Sequence, residues 1–327
     1  MITLYLKQFN KIIRNADPKQ LSEVDVNDVL WIDMLKPSFK EQRAVETFMG
    51  ISLQTRQQIE EIETTSKYSE REDSVVSNSN FFLSQEDDFV IEPVSFIISQ
   101  SEALISVHNF EMRTFRDTER RLQISPSSYP TGYQLFIALL EVRIDYDADL
   151  VESTARQVAA LSRDISQEDN IDKQFLRRIA KLQEMTMKLR ENIFDRQRIL
   201  TMVRRSRRFP ADLLPGIALM IKDVVSLINY ADFAFQRLDY IQDSALGLIN
   251  IEQNEIVKIL SVASVIFMPA TLVASIYGMN FEFMPELSWS YTMENGGVVP
   301  LGYIFAIFLM ILCSSVTLWY FRFKKWL

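Results

Sequence analysis

The spacing of hydrophobic positions divides this chain into a strand-rich first part and a helical remainder. Over residues 1–115, apolar runs alternate with polar segments, and the clearest runs are ITLYL, VLWIDML, NFFLS, FVIEPVSFIIS and ALISVHNF. Their length and their Val, Ile, Phe and Trp content are typical of β-strands. Residues 36–49 and 53–63 instead have the apolar spacing of helices. The pattern predicts an α+β domain with a mixed sheet, in which the polar residues 69–80 form a loop.

Beyond the break ISPSSYPTG, at residues 124–132, the apolar spacing becomes helical. Residues 133–165 and 171–206 each have the pattern of a long amphipathic helix, and we expect the two to pair antiparallel. After a second break at Pro210 and Pro215, residues 217–279 contain Gly247 and Pro269 in their interior, and Gly278 lies next to their end. This predicts one helix of roughly 60 residues, about 90 Å long. Because no globular core is that deep, the helix is expected to leave the soluble domain and enter a membrane.

Two apolar segments near the C-terminus, residues 259–276 and 298–321, are each long enough to cross about 30 Å of hydrocarbon as a helix. From residue 259 to residue 321 there is no lysine or arginine. Lys258 precedes the first segment, and Arg322, Lys324 and Lys325 follow the second. Since basic residues are enriched on the cytoplasmic side, both ends of this helical hairpin are predicted to face the cytoplasm. Hydropathy alone leaves open that the hairpin is only an anchor.

Composition argues against the common enzyme chemistries. The chain has one cysteine, one histidine and eight glycines, and its formal net charge is -8. These numbers leave no disulfide, no histidine metal cluster and no glycine-rich phosphate loop. In a net acidic chain, the basic run at residues 204–209 is more typical of a solvated helix end than of a nucleic-acid site. We therefore expect no enzymatic activity, no organic cofactor and no nucleic-acid partner.

One face of the first apolar segment and of the residues before it is lined with small and polar side chains. Steps of four and three residues give Asp243, Gly247, Asn250, Asn254, Val257, Ser261, Ser264, Met268, Thr271 and Ser275. In lipid, a polar stripe has to face protein or water. Two helices per chain are too few to enclose a water path, so a pore requires several copies around one axis. The alternative, open at this point, is that the hydroxyl residues only hold packed helices together.

Apolar residues in and beside this stripe are candidates for a gate. Val257 and Met268, with Leu260 beside Ser261, would form apolar rings that close a narrow water column by dewetting. Pro269 removes one backbone hydrogen bond from the span and is either a hinge or a tolerated kink.

The residues that follow the stripe carry a specific motif. YGMNFEFMPEL, at residues 277–287, resembles the defining motif of the CorA family of magnesium channels. Residues 249–275 and the closing KKWL are similar to the bacterial members of that family, so the close match runs from residue 249 to the C-terminus. WIDMLKP, EEIETTSKYSE and PVSFII resemble the soluble domain of the family more loosely.

The resemblance implies a homopentamer with a funnel-shaped cytoplasmic domain, a long stalk helix that lines the pore, and a selectivity filter at Gly278, Met279 and Asn280. It also implies Mg²⁺ as substrate and as cytosolic regulatory ligand, with Co²⁺ and Ni²⁺ as further substrates. Asn280 suits this role because Mg²⁺ gives up water reluctantly, and a ring of carboxamides can hydrogen-bond the hydration shell. Gly278 is expected to turn the chain out of the helix end through backbone angles that other residues resist.

Acidic side chains stand at both ends of the stripe. The external loop carries Glu282, Glu286 and Glu294, which either concentrate cations outside the mouth or are simply solvated. At the other end, Asp243 is a candidate ligand for regulatory Mg²⁺, although an acidic residue on a stalk is usually only solvated. Asp223, Asp232 and Asp239 lie in the same region and match no motif.

The predicted segments are a cytoplasmic α/β plus helical domain (1–209), a cytoplasmic stalk helix (210–258), a pore-lining transmembrane helix (259–279), an external loop (280–297), a second transmembrane helix (298–321) and a basic cytoplasmic tail (322–327). The predicted location is a bacterial inner membrane, with lipid and further copies of the chain as partners. The predicted function is uptake of hydrated Mg²⁺, driven by the membrane potential and gated by cytosolic Mg²⁺. The alternatives are a zinc or other divalent-metal transporter on the same scaffold and a non-conducting, membrane-tethered Mg²⁺ sensor.

Overall fold

The computed structural model of the chain describes residues 1–8, 11–15, 21, 24–54, 58, 67–85, 88–167, 171–280, 282, 284–292 and 298–324. They belong to two compact units, Met1–Asp243 and Ser244–Leu327. The first unit contains a sheet and several helices, and the second contains two apolar helical segments. One helix, Leu214–Tyr277, contributes residues to both units.

The first unit is built on a mixed sheet. Its strands are Ile2–Gln8 (β1), Lys11–Asn15 (β2), Val29–Leu35 (β3), Tyr68–Glu70 (β4), Ser74–Gln85 (β5), Asp88–Ser99 (β6) and Leu104–His108 (β7). Within the described residues they form one sheet in the order β2-β1-β3-β7-β6-β5-β4. The neighbours β3 and β7 are parallel, and the other pairs are antiparallel. The predicted mixed sheet is therefore confirmed.

The loop predicted for residues 69–80 is wrong over most of its length, because β5 begins at Ser74. This strand pairs with β6 along its whole length. Four of the polar side chains that suggested a loop, those of Ser74, Ser77, Asn78 and Ser79, are buried. Two of them have partners outside the strand, since Asn78 donates to Gln54 and Ser79 accepts from Arg196. A buried strand tolerates polar residues when other elements supply their hydrogen bonds. The pattern of polar and apolar positions within one segment does not show which distant residues those partners are.

The helix predicted within residues 36–49 is confirmed as α1, Phe39–Met49. Ser38 caps it, since its hydroxyl accepts from the Glu41 amide while the Glu41 carboxylate accepts from the Ser38 amide. Gly50 ends the helix at a φ of 64°, a left-handed conformation that favours glycine. The helix predicted at residues 53–63 lies largely outside the described residues.

The described residues of the first unit form three further helices: α2 (Arg113–Ile124), α3 (Gly132–Gln167) and α4 (Lys173–Arg205). The two long helices pair antiparallel, as predicted. Asp147 of α3 binds Arg196 of α4 at 2.6 Å, and Asp164 of α3 binds Arg178 of α4 at 3.1 Å. Residues with increasing numbers along α3 therefore contact residues with decreasing numbers along α4, as in an antiparallel pair.

The long helix α5, Leu214–Tyr277, has 64 residues and confirms the prediction of a single long helix. It begins earlier than predicted, so Pro215 and Gly216 lie in its first turn and do not form the break. Proline is tolerated in that turn because the first backbone N–H groups of a helix have no intrahelical partner. The break lies before it and contains a short 3-10 turn at Ala211–Leu213.

In the second unit, a 3-10 turn at Pro285–Ser288 and a short hairpin connect α5 to the last helix. The hairpin pairs β8 (Ser290–Thr292) with β9 (Val298–Pro300), and α6 follows at Leu301–Phe323. The last helix thus begins at residue 301, three residues after the predicted start of the second span, and residues 298–300 are extended and paired with β8. Both α5 and α6 contain a stretch long and apolar enough to cross a membrane.

Candidate functional site

The polar stripe lies on an exposed side of α5 in the second unit. Met268 in the stripe is 66% exposed, whereas Val273, on the far side of the helix, is 8% exposed. The predicted pore residues that share this exposed face are Asn250, Asn254, Val257, Leu260, Ser261, Ser264, Met268, Thr271 and Ser275. The chain itself therefore leaves the whole stripe uncovered.

The helix α6 approaches α5 on the side away from the stripe. The Ser314 hydroxyl of α6 donates to the Ile266 carbonyl oxygen of α5 at 3.1 Å, and the small residues Gly302 and Ala306 of α6 are buried. The less exposed positions of α5 around this hydrogen bond are Val262, Ala263, Val265, Ile266, Pro269, Ala270 and Val273. Because α6 packs on a different side of α5, it leaves the stripe free to face further copies of the chain or water.

Two hydroxyl groups of the stripe are hydrogen-bonded within α5. Ser264 donates to the Leu260 carbonyl at 2.8 Å, and Thr271 donates to the Phe267 carbonyl at 2.9 Å. Each bond uses the hydroxyl hydrogen and leaves the lone pairs of the oxygen available on the exposed side. Such a surface offers hydrogen-bond acceptors, which suit the outward-pointing hydrogens of water bound to a cation.

The helix α5 ends where the predicted filter begins. Its last helical residue is Tyr277, and Met279 and Asn280 follow it as exposed residues. The aligned peptide dipoles of an α-helix give its C-terminal end a partial negative charge. The Asn280 carboxamide therefore stands just beyond a helix end that favours a cation.

The expected backbone role of Gly278 is wrong. Its amide donates to the Ala274 carbonyl at 2.9 Å, and its φ lies outside the left-handed region, which Gly50 adopts. A side-chain carbon at position 278 would lie 3.2 Å from the Ala274 carbonyl oxygen. The glycine thus permits close contact with the backbone at the helix end. The residue type alone does not show whether a glycine serves such a contact or a turn.

The external loop places Glu282 and Glu286 within the described residues, the first exposed and the second partly exposed, whereas Glu294 lies outside them. Over the part of the chain that the structure describes, no group of three or more His, Cys, Asp or Glu side chains could hold a metal ion.

The acidic residues considered for regulation do not converge within one chain. Asp243 is exposed on α5. Asp232 is bound by Arg190 at 2.5 Å, and Asp239 accepts a hydrogen bond from Gln183 at 2.8 Å. Asp232 and Asp239 thus have partners within the first unit, whereas Asp223 and Asp243 are exposed.

Sequence reasoning missed Ser314, because the second span was treated as uniformly apolar. A signal was present: Ser314 and Ser315 are adjacent hydroxyl residues in the middle of an otherwise apolar segment. Serine inside a membrane helix often hydrogen-bonds a neighbouring helix. The partner carbonyl, however, belongs to a residue 48 positions earlier, and only the tertiary structure identifies it.

Comparison with known proteins decides the family. The family model described as CorA-like Mg2+ transporter protein matches residues 26–325. The chain belongs to the CorA family. It is 31% identical to the magnesium transport protein CorA of Wolinella succinogenes and 33% identical to that of Salmonella typhimurium, and each alignment covers 100% of both chains.

The fold of this CorA-family chain is also found in a solved structure. The complete structure of the CorA magnesium transporter from Methanocaldococcus jannaschii matches it with a TM-score of 0.79 at 19% identity, covering 100% of this chain and 99% of that chain. This confirms the predicted α+β domain followed by a long helix and a two-helix hairpin. The family is one of transporters and not of enzymes. With the family shown, the two apolar helices confirm the expectation of a protein that crosses a membrane twice.

Proposed function

We propose that this chain carries Mg²⁺ across a bacterial inner membrane through a homo-oligomeric pore, which family resemblance makes a pentamer. The observation that carries the proposal is the exposed polar face of α5, which leads directly to YGMN. In the assembly, the α5 helices of several copies surround one aqueous axis, and α6 lies between them and the lipid. The polar residues named above then face water and not hydrocarbon, which removes the cost of a polar stripe in lipid.

The selectivity filter is the ring of Gly278, Met279 and Asn280. The Asn280 carboxamides hydrogen-bond the hydration shell of the ion, so Mg²⁺ keeps the water that it releases only reluctantly. Binding through water is weak enough to permit exit on the other side. Glu282 and Glu286, repeated around the ring, concentrate cations at the external mouth.

Closure of the pore uses apolar rings of Val257, Leu260 and Met268, which exclude water when they narrow. Cytosolic Mg²⁺ favours the closed state by binding acidic sites between neighbouring copies. Asp243 is our candidate for such a site, since it is exposed on α5.

The driving force is the membrane potential. With both chain ends in the cytoplasm, an inside-negative potential favours entry by about 2.3 kcal/mol per charge per 100 mV, or about 4.6 kcal/mol for a divalent ion. Uptake therefore needs no ATP and no organic cofactor. Co²⁺ and Ni²⁺ are further substrates by family resemblance.

The decisive experiment measures Mg²⁺ entry into proteoliposomes that contain Asn280→Ala. We expect uptake to be lost while the assembled state, followed by size-exclusion chromatography with light scattering, is unchanged. The matched control is Thr292→Ala, which removes an exposed polar side chain from β8 and should leave uptake at the level of the unchanged chain. Normal uptake by assembled Asn280→Ala would remove the filter from the proposal.

The same assay separates the alternatives. Uptake of Zn²⁺ in preference to Mg²⁺, Co²⁺ and Ni²⁺ would identify a zinc transporter on this scaffold. Binding of Mg²⁺ without flux of any of the four ions would identify a membrane-tethered sensor.

A further inference from the structure

The hydrogen bond between α6 and α5 lies beside an interruption in the backbone hydrogen bonds of the membrane span. Pro269 has no N–H group, so the Val265 carbonyl four residues earlier loses its helical donor. The proline ring also crowds the preceding turn of the helix. A membrane helix tolerates such a break when a neighbouring helix or a Ser or Thr side chain hydrogen-bonds the weakened turn.

Ser314 supplies such a bond from outside the helix. Its hydroxyl donates at 3.1 Å to the Ile266 carbonyl, which belongs to the same turn as Val265. Thr271 and Thr317 behave differently, because each donates to the carbonyl four residues earlier in its own helix. The Ser314 bond therefore joins two helices at the break, whereas these other hydroxyl bonds remain local.

The weakened turn carries a residue of the proposed gate. Met268 immediately precedes Pro269 and is exposed on the stripe, whereas Pro269 itself is partly buried on the side that α6 approaches. A change in the bend at Ile266 to Pro269 would move the Met268 side chain relative to the pore axis. A contact between α6 and the backbone of α5 can in this way determine where the Met268 side chain lies on the pore side.

We propose that Ser314 is a positioning residue of the gate, which holds the Pro269 break in one bend and so places Met268. The proposal rests on the function proposed above. Ser314 does not touch the ion path; it acts only through the backbone of α5. A single hydrogen bond of this kind changes an equilibrium between two bends by about threefold to tenfold.

The test uses Ser314→Ala in proteoliposomes, with Ser314→Thr as the variant that keeps the hydroxyl. The matched control is Ser315→Ala, since Ser315 is the next residue of α6 and is exposed. For Ser314→Ala we expect the internal Mg²⁺ concentration that halves uptake to shift by about threefold or more. Ser314→Thr should restore the original value, and Ser315→Ala should not change it.

A double-mutant cycle separates positioning from packing. Pro269→Ala restores the missing N–H group, so in that background Ser314→Ala should shift the half-closing concentration by less than about twofold. An equal shift in both backgrounds would mean that Ser314 acts through helix packing alone, and the proposal would be overturned.

A readout without flux keeps this proposal distinct from the proposed function. Deuterium uptake of residues 265–272 in lipid nanodiscs should be faster in Ser314→Ala than in the unchanged chain and in Ser315→Ala. If no variant or unchanged chain conducts Mg²⁺, the transport function fails while this exchange still reports on the Ser314 contact. Equal exchange in all three proteins would overturn the role of Ser314, whatever the flux.

Discussion

The Nε2 atom of His108 lies 3.0 Å from Oδ1 of Asp33, and its Nδ1 atom lies 2.7 Å from the Phe110 carbonyl oxygen. An ionised carboxylate and a carbonyl only accept hydrogen bonds, so this arrangement favours the protonated ring, which has a donor on each nitrogen. Ser106 donates to the same Asp33 oxygen at 2.6 Å. The buried His108 ring and the Asp33 carboxylate thus join the neighbouring parallel strands β3 and β7.

This pair predicts that the free energy of unfolding depends on pH. Burial alone lowers the pKa of His108, but the hydrogen bond and charge of Asp33 outweigh it, so the pKa of His108 is raised. With a raised folded pKa, the stabilisation is complete below about pH 6.5, the unfolded histidine pKa, and is lost as pH rises through the folded pKa. Thermal unfolding in detergent from pH 6 to pH 9 should show stability falling over that window.

The ring itself can be followed by NMR, because His108 is the only histidine of the chain and a tag without histidine adds none. We expect a titration midpoint above 6.5. Asp33→Asn should lower that midpoint more than Glu92→Gln, since Asp33 hydrogen-bonds the ring and Glu92 acts only through its charge. A midpoint at or below 6.5 in the unchanged chain would show that the ring is not held as an imidazolium.

Removing the carboxylate of Asp147 should strongly destabilise the first unit. Asp147 bridges Arg143 and Arg196 at 2.6 Å each, and the three side chains are at most 1% exposed. Asp147→Asn leaves two buried guanidinium groups without their carboxylate, which costs about 3–5 kcal/mol of unfolding free energy. Burial already lowers the pKa of Arg196 to about 10, despite the opposing charge of Asp147.

The control for this prediction is an ion pair of the same length at the surface. Arg156 and Glu152 also lie 2.6 Å apart, but each side chain is 66% exposed. Glu152→Gln should cost less than about 1 kcal/mol, because solvent screens the charges. Equal shifts of the thermal midpoint in the two variants would contradict the argument from burial.

Gly132→Ala should destabilise the chain through a backbone clash. A side-chain carbon at this position would lie 2.6 Å from the Glu102 carbonyl oxygen and 2.6 Å from the Leu104 amide nitrogen. Backbone atoms cannot move aside as a flexible side chain does, so we expect a loss of about 1–3 kcal/mol in chemical unfolding. Gly216→Ala, with no atom within 4 Å of the added carbon, should be neutral or slightly stabilising.

Shortening the apolar gate residues should make the pore leak. Met268→Ala and Val257→Ala reduce the proposed rings that exclude water, so Mg²⁺ entry should persist at internal Mg²⁺ concentrations that close the unchanged chain. Leu272→Ala, an exposed apolar residue of the same span outside the stripe, is the control and should close normally. If both gate variants also close fully in the proteoliposome assay, dewetting at these rings is not the closing mechanism.

The sequence by itself determined the features that depend on neighbours in the chain. The spacing of Ser264, Met268, Thr271 and Ser275 is a property of one helix, so the exposed face of α5 follows from helical geometry. The capped helix that begins after Ser38 and the run of apolar residues in α6 depend on local chemistry in the same way. The motif YGMN is a local signal too, and it led to the family that the comparisons show.

Only the tertiary structure decided the features that depend on distant partners. The polar strand that begins at Ser74 is a strand because β6 and the buried Arg196 satisfy it, and the charge on His108 depends on Asp33, 75 positions away. The proposed role of Ser314 likewise depends on its hydrogen bond to the Ile266 carbonyl. A hydrogen bond or a buried ion pair is an interaction between two groups. The sequence gives the identity of both residues, but only the fold brings them into contact.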